Sequence, residues 1–145
     1  MTTMTAETTQ VYNVYIRATP EQIWNAITKP EFTERYFHGV RIAVADGVRT
    51  SDLGDLHWEE PVLEEAPPRR LVHGWRSHYD EEMAAEEQSR VTWEIEPHEG
   101  GYSLLTVTHD RLEGAPKTAA GVAGTGWMGV LSNLKSFLET GEALF

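Results

Sequence analysis

The sequence predicts an α+β fold in which a curved antiparallel sheet of about six strands wraps around one long C-terminal helix. Several short segments alternate apolar and polar residues and are joined by tight turns, which implies antiparallel strands. Two short helical patterns follow the first strand, and the last segment repeats apolar residues at helical spacing. One long apolar helix packed on such a sheet leaves a cavity between the two layers.

The N-terminal part of the chain changes from a strand to two helices. Alternation in QVYNVYI predicts a strand with one buried face. Thr19 is a suitable N-cap, Pro20 occupies the first helical position, and Gln22 can return a hydrogen bond to the cap, which predicts a capping box. Pro30 ends this helix because the residue before a proline avoids helical backbone angles. The segment PEFTERYF then predicts a second short helix.

The middle of the chain is predicted to be extended. Its candidate strands are VRIAV, LHWEEPVLEE, LVHGWRS, RVTWEIEP and YSLLTVTHDRL. Turn residues separate them, among them Asp46-Gly47, the segment 52–55 and HEGG. The acidic segment HYDEEMAAEEQS has no apolar period, so we expect a loop with room for a short helical turn around residues 83–87.

The C-terminal helix begins with an unusual combination of residues. Gly124 and Gly126 precede Trp127 and Met128, and apolar residues then recur at helical spacing until Gly141, a natural stop. We interpret the glycines as a flexible end that lets the tryptophan and the methionine adapt to a bound molecule. In the alternative interpretation both side chains belong to the core and the glycines only form a loop.

Length, charge and composition limit the possible functions. Residues 1–9 are predicted to be a loose tail, and residues 10–145 a single domain. The chain contains no cysteine, no apolar run long enough to span a membrane and no secretory leader pattern, so we expect a cytoplasmic protein. The net charge of −11 repels phosphate backbones, so nucleic acid is not an expected partner.

Four stretches carry a family resemblance that extends from about residue 11 to residue 141. They are VYIRATPEQIWNAIT.PEFTERYF, PVLEEAPPRRLVHGWRS, the pair RVTWEIEP and LTVTHDRL, and GWMGVLSNLKSFLETG. The chain resembles the activator of heat-shock-protein-90 ATPase homologue family, within the START-like (SRPBCC, birch-pollen-allergen-like) group. The resemblance implies a helix-grip fold with a deep, largely apolar cavity. Members of the wider group bind lipids, sterols, polyketides or plant hormones, and a minority are cyclases or hydrolases.

Strand parity and helix phase direct a set of side chains toward the predicted cavity. The predicted ligand contacts are Tyr36, Phe37, Trp58, His73, Trp75, Trp93, Val107, His109, Trp127, Met128 and Leu131. This concave surface carries more aromatic and polar side chains than a closed core requires. Ordinary packing remains an alternative for each position, and a bulge at Pro61 would reverse the parity before it.

His109 and Glu60 are the candidate catalytic residues. His109 is in phase with inward-facing apolar residues, so its imidazole could orient a ligand or transfer a proton. Glu60 could cooperate with His109 or with His73 in proton transfer if it is buried, although this residue could equally lie on the surface. The histidines show no metal-ligand spacing, and no nucleophile elbow or nucleotide-binding loop occurs, so neither a metal nor a cofactor is expected.

The preferred functional hypothesis is non-enzymatic binding of a small hydrophobic or aromatic molecule between the sheet and the last helix. A cyclase- or hydrolase-like enzyme is one alternative. A protein-interaction module is another, including a chaperone cofactor; it would show an apolar patch outside and a cavity too small for a ligand. The eukaryotic proteins that name the family have two domains, whereas this chain has room for one. Exposed edge strands would also permit a homodimer.

Overall fold

The architecture is a seven-stranded antiparallel sheet that curves around a long C-terminal helix. The computed structural model describes residues 7–78 and 80–145, so most of the predicted N-terminal tail lies outside the described residues. The strands are β1 (Gln10–Ile16), β2 (Arg41–Ala45), β3 (Val48–Leu53), β4 (Leu56–Ala66), β5 (Arg70–Trp75), β6 (Ser89–His98) and β7 (Tyr102–Asp110). Their order is β1-β7-β6-β5-β4-β3-β2, so β1 and β2 are the two edges. The predicted fold class is confirmed.

The seventh strand is β3, which the sequence analysis did not identify. It pairs with β2 through a hairpin whose turn is Asp46-Gly47, both with positive φ angles (55° and 78°). This is the backbone that a two-residue hairpin needs. The inward side chains of β3 include Arg49 and Ser51, which are polar yet buried. A strand whose buried face is polar has no hydrophobic alternation to reveal it.

The helices are α1 (Pro20–Thr28), α2 (Pro30–Tyr36), α3 (Glu81–Ala84), α4 (Pro116–Gly121) and α5 (Trp127–Thr140). The predicted capping box of α1 is confirmed: the Gln22 backbone N–H donates to Thr19 Oγ1 (3.2 Å), and the Thr19 N–H donates to Gln22 Oε1 (2.8 Å). The predicted stop of α5 is also confirmed, since Gly141 has a φ of 90°. No helix within residues 7–78 and 80–145 is long and apolar enough to cross a membrane.

Helix α4 was not predicted, because its cap comes from a distant segment. The carboxylate of Glu86 accepts hydrogen bonds from the backbone N–H groups of Lys117 (2.7 Å) and Thr118 (2.9 Å). These are among the N–H groups that a helix N-terminus leaves unpaired, so the acidic segment before β6 stabilises the start of α4. The contact also fixes α3 beside α4, close to the start of α5.

The main core lies between the concave face of the sheet and three helices. It combines fully buried side chains such as Ile23 on α1, Val91 and Leu105 on the sheet, and Leu134 on α5. Helix α2 ends against α5, where the Tyr36 ring stacks on that of Phe137 (6.2 Å between centroids). This contact fixes the end of α2 against the C-terminal half of α5.

Candidate ligand-binding cavity

A cavity of about 290 Å³ lies at the N-terminal end of α5. Its walls come from the loop after α2, the end of β5, α3, and the chain that joins α4 to α5. The apolar side chains that line it are Phe37, Trp75, Met83, Val122, Trp127 and Val130. Ser77 and His38 add polar groups to the wall. A concave, mainly apolar space with a few polar groups is typical of a small-molecule site.

The turn before α5 requires glycine for a steric reason. Helix α4 runs into a wide π-helical turn (Val122–Gly126) that is kinked at Gly124, whose ψ of −111° is not helical. A Cβ atom on Gly126 would lie 2.9 Å from the carbonyl oxygen of Gly121, closer than real Cβ contacts come. Glycine at 126 therefore permits the tight turn that brings Trp127 to the cavity wall.

His109 lies in a continuous chain of hydrogen bonds. Its Nδ1 accepts from the indole N–H of Trp127 (3.0 Å), and its Nε2 lies 2.7 Å from Ser89 Oγ. An indole N–H is only a donor, so Nδ1 is the acceptor and the proton of the neutral ring sits on Nε2. Ser89 in turn donates to the Trp75 carbonyl (3.1 Å). Both ring nitrogens are occupied, and the imidazole is fully buried.

His73 is held in the same way. Its Nε2 accepts from the indole N–H of Trp93 (2.9 Å), so the proton of the neutral ring is on Nδ1, which donates to the Gly74 carbonyl (2.7 Å). Burial lowers its pKa well below the usual range, and the positive charge of Arg49 acts in the same direction. Two neutral histidines, each bonded to a tryptophan, therefore stiffen the wall behind the cavity.

Acid should destabilise the protein through His109. Burial lowers its pKa to about 4, against 6.5 for an exposed histidine. Between these two values the unfolded chain binds a proton that the folded chain does not, so stability is complete above pH 6.5 and falls as the pH drops toward 4. We expect His109 alone to reduce the free energy of unfolding by about 2 kcal/mol between pH 7 and pH 5.

Denaturant titrations at several pH values measure this effect. His109→Gln should make the slope between pH 6.5 and pH 5 shallower, whatever its stability at pH 7, while His73, whose pKa is also lowered, retains its own contribution. His57→Gln is the matched control, because this histidine is exposed between Asp52 and Glu59, which raise its pKa, and its loss cannot remove an acid-induced destabilisation. An unchanged slope in the His109 variant would contradict the prediction.

Glu60 is buried, although the sequence analysis allowed a surface position equally. Its side chain is 2% exposed, and Oε1 accepts from Nη1 of Arg49 (2.8 Å). The other carboxylate oxygen accepts from the backbone N–H of Arg76 (2.9 Å). Both oxygens are therefore engaged in holding β3, β4 and the chain after β5 together.

The structure brings only part of the predicted contact set to the cavity. Phe37, Trp75 and Trp127 line it, and Trp58 lies beside it next to His78. The others are packed in the core without reaching the cavity: Tyr36, His73, Trp93, Val107 and His109. The Tyr36 hydroxyl, for example, donates to the Ala26 carbonyl (2.7 Å).

Met128 and Leu131 do not line the cavity as predicted: Met128 faces an outer surface, and Leu131 is buried in the main core. They line an outer groove between β1 and α5, where Met128 is 62% exposed. The helix begins at Trp127, so the next residue is turned about 100° away from the cavity side. The expectation that Met128 adapts to a molecule in the cavity is therefore corrected by its position.

Sequence reasoning missed several lining residues. Val130 lies three positions after Trp127 on the same helical face, a spacing that would have identified it. Met83 lies in an acidic segment, where an isolated apolar residue gives no periodic signal. The chain reverses after α2 because His38 and Gly39 have positive φ angles (51° and 80°). This reversal brings His38 to the edge of the cavity.

These features define a class of protein: a helix-grip domain with an internal cavity where its sheet meets the start of its last helix. The sequence profile of activator of Hsp90 ATPase homolog 1-like proteins matches residues 17–139. The chain belongs to this family, as the resemblance implied. Comparison with curated proteins gave no match.

Three solved structures illustrate the shared fold. Protein MLL2253 from Mesorhizobium loti is 24% identical, with a TM-score of 0.73 over 90% of this chain and 96% of its own. An Hsp90 activator from Plasmodium falciparum is 19% identical, with a TM-score of 0.74 over 92% and 97%. The Aha1 dimer from Colwellia psychrerythraea is 20% identical, with a TM-score of 0.71 over 93% and 98%. At these identities the likeness shows the fold alone.

Proposed function

We propose that the protein binds a small hydrophobic or aromatic molecule in the cavity at the start of α5 and performs no covalent chemistry on it. The observation that carries this proposal is the cavity itself, about 290 Å³ with mainly apolar walls. Its size is at the lower end of small-molecule sites. Burying apolar ligand surface there contributes roughly 25 cal/mol per Å².

The chemical state of the buried polar groups supports binding rather than catalysis. A general base needs a lone pair within reach of the substrate, but the acceptor nitrogens of His73 and His109 are each occupied by an indole N–H. Glu60 uses both carboxylate oxygens in structural hydrogen bonds. The candidate acid–base groups thus serve the scaffold.

Family membership supports a second candidate, a chaperone cofactor. One solved relative is described as an Hsp90 activator, and the outer groove of this chain exposes Met128 and Val11, an apolar surface outside the cavity. A protein partner, or a second copy of the chain as in the Aha1 dimer, would use that surface and leave the cavity unaffected.

A cavity-filling variant separates the two candidates. The neutral dye N-phenyl-1-naphthylamine is titrated into the protein and its fluorescence recorded. Val130→Trp places a large side chain into the cavity, so we expect it to weaken dye binding at least about tenfold. Met128→Trp adds the same side chain on the exposed face of the same helix and should leave the affinity unchanged.

The outcomes distinguish the internal cavity from the outer groove. Loss of binding only in Val130→Trp supports the proposal, provided that circular dichroism shows both variants to be folded. Val122→Phe, also on the cavity wall, is the second variant if Val130→Trp does not fold. Loss only in Met128→Trp places the binding surface outside and favours the interaction module. Native mass spectrometry of the purified protein then reports any retained molecule.

A further inference from the structure

A polar niche adjoins the apolar cavity. It is a gap of about 10 Å³, room for about one water-sized group, between β3, β4 and the chain after β5. Phe37, Trp75 and Ser77 line both spaces, so these three side chains form the boundary between them. The far wall of the niche carries the polar groups of Arg49 and Ser51 of β3 among apolar side chains.

Arg49 and Glu60 make the niche polar but electrically balanced. The guanidinium group pairs with the carboxylate at 2.8 Å and lies over the rings of Trp75 (5.4 Å) and Phe37 (6.0 Å). The positive charge is therefore already matched, and two aromatic faces fix the guanidinium in place. A second negative charge would meet the Glu60 carboxylate, and the other arginine that lines the niche, Arg76, donates its Nε–H to the Glu86 carbonyl (3.2 Å).

Ser51 is the group that the fold leaves without a partner. It is 1% exposed, and its hydroxyl has no hydrogen-bond partner among residues 7–78 and 80–145. An unpaired buried hydroxyl is unfavourable, so natural proteins almost always supply a partner from a side chain, a water or a ligand. Alanine at this position on β3 would avoid the cost of an unpaired buried hydroxyl. The hydroxyl therefore indicates a hydrogen-bond partner that comes from outside the chain.

We propose that the ligand is an apolar molecule that carries one neutral oxygen group, a hydroxyl or a carbonyl, and that this group enters the niche to hydrogen-bond Ser51. This inference rests on the proposed binding function and narrows its ligand class. The apolar body occupies the larger cavity and supplies most of the affinity. The oxygen group sets the orientation, because the niche admits only a group of about one heavy atom beyond the boundary.

Three probes of one shape test the ligand class. Naphthalene has the apolar body alone, 2-naphthol adds a neutral hydroxyl, and 2-naphthoate adds an anionic group. Their dissociation constants are measured by quenching of tryptophan fluorescence in the wild type and in Ser51→Ala. The matched control is Ser103→Ala, another buried strand serine, whose hydroxyl donates to the Ala18 carbonyl and lies away from both spaces.

We expect Ser51→Ala to weaken 2-naphthol binding roughly fivefold relative to its effect on naphthalene, the size of one neutral hydrogen bond. Ser103→Ala should leave that ratio unchanged, and 2-naphthoate should bind more weakly than 2-naphthol to the wild type. An unchanged ratio in Ser51→Ala would overturn the inference and leave the niche to a water. Tighter binding of 2-naphthoate would overturn the neutral ligand class. If none of the three probes binds, both the proposed function and this inference fail.

Discussion

Replacing Glu60 with leucine is expected to lower the free energy of unfolding by about 3–5 kcal/mol. The variant leaves Arg49, which is 3% exposed, as an uncompensated charge in the interior. It also removes the acceptor of the Arg76 backbone N–H. Denaturant unfolding monitored by tryptophan fluorescence measures the loss.

Two further variants show that the unpaired charge is the cause. Glu64→Leu breaks a surface pair with Arg70, whose side chain is 42% exposed, and should change stability by less than about 1 kcal/mol. Arg49→Met combined with Glu60→Leu removes both charges and should recover much of the loss, because an apolar pair of similar size is a good substitute for a buried ion pair. A Glu60 variant as stable as the wild type would contradict the prediction.

Trp127→Ala is expected to destabilise the protein by about 3–5 kcal/mol. Its ring packs against those of Trp93 (5.3 Å between centroids) and Trp75 (5.4 Å), so its removal leaves a large void. It also removes the donor to His109 Nδ1, which would then be buried without a partner. Thermal and denaturant unfolding measure the change.

Trp127→Phe separates the two contributions. It keeps one aromatic ring in the core but removes the N–H and part of the indole volume, so it should cost about 1–3 kcal/mol, less than Trp127→Ala. Trp24→Ala is the matched control: this tryptophan is half-buried on α1, and we expect a smaller loss than for Trp127→Ala. Similar losses at both positions would contradict a special role for Trp127.

The elements with local signals could be predicted from the sequence, and those that depend on distant partners could not. The capping box at Thr19 and the helix stop at Gly141 use residues within one turn, so their spacing was sufficient. Helix α4 depends on the carboxylate of Glu86, about 30 residues earlier in the chain. Strand β3 buries Arg49, which only the tertiary partner Glu60 makes acceptable.

For the candidate site, the sequence predicts which face of each element points inward rather than which residues line the cavity. Strand parity and helix phase show which side chains point inward, as for Trp75 and Trp93, but not whether they meet a void or another side chain. Trp93 meets His73 and Trp127, whereas Trp75 reaches the cavity. That difference depends on how the chain from α4 to α5 is folded over the sheet, which no periodicity records.

The hydrogen bond from Trp127 to His109 has an evolutionary consequence. Trp127 is both a wall of the cavity and the donor that occupies the ring nitrogen of His109. A smaller residue without an N–H at this position would open a path from the cavity to the lone pair of a neutral imidazole, and such a lone pair is a base. One substitution would thus place a proton acceptor at the cavity wall. In this architecture a purely apolar cavity and a cavity that also holds a base would differ by a single residue.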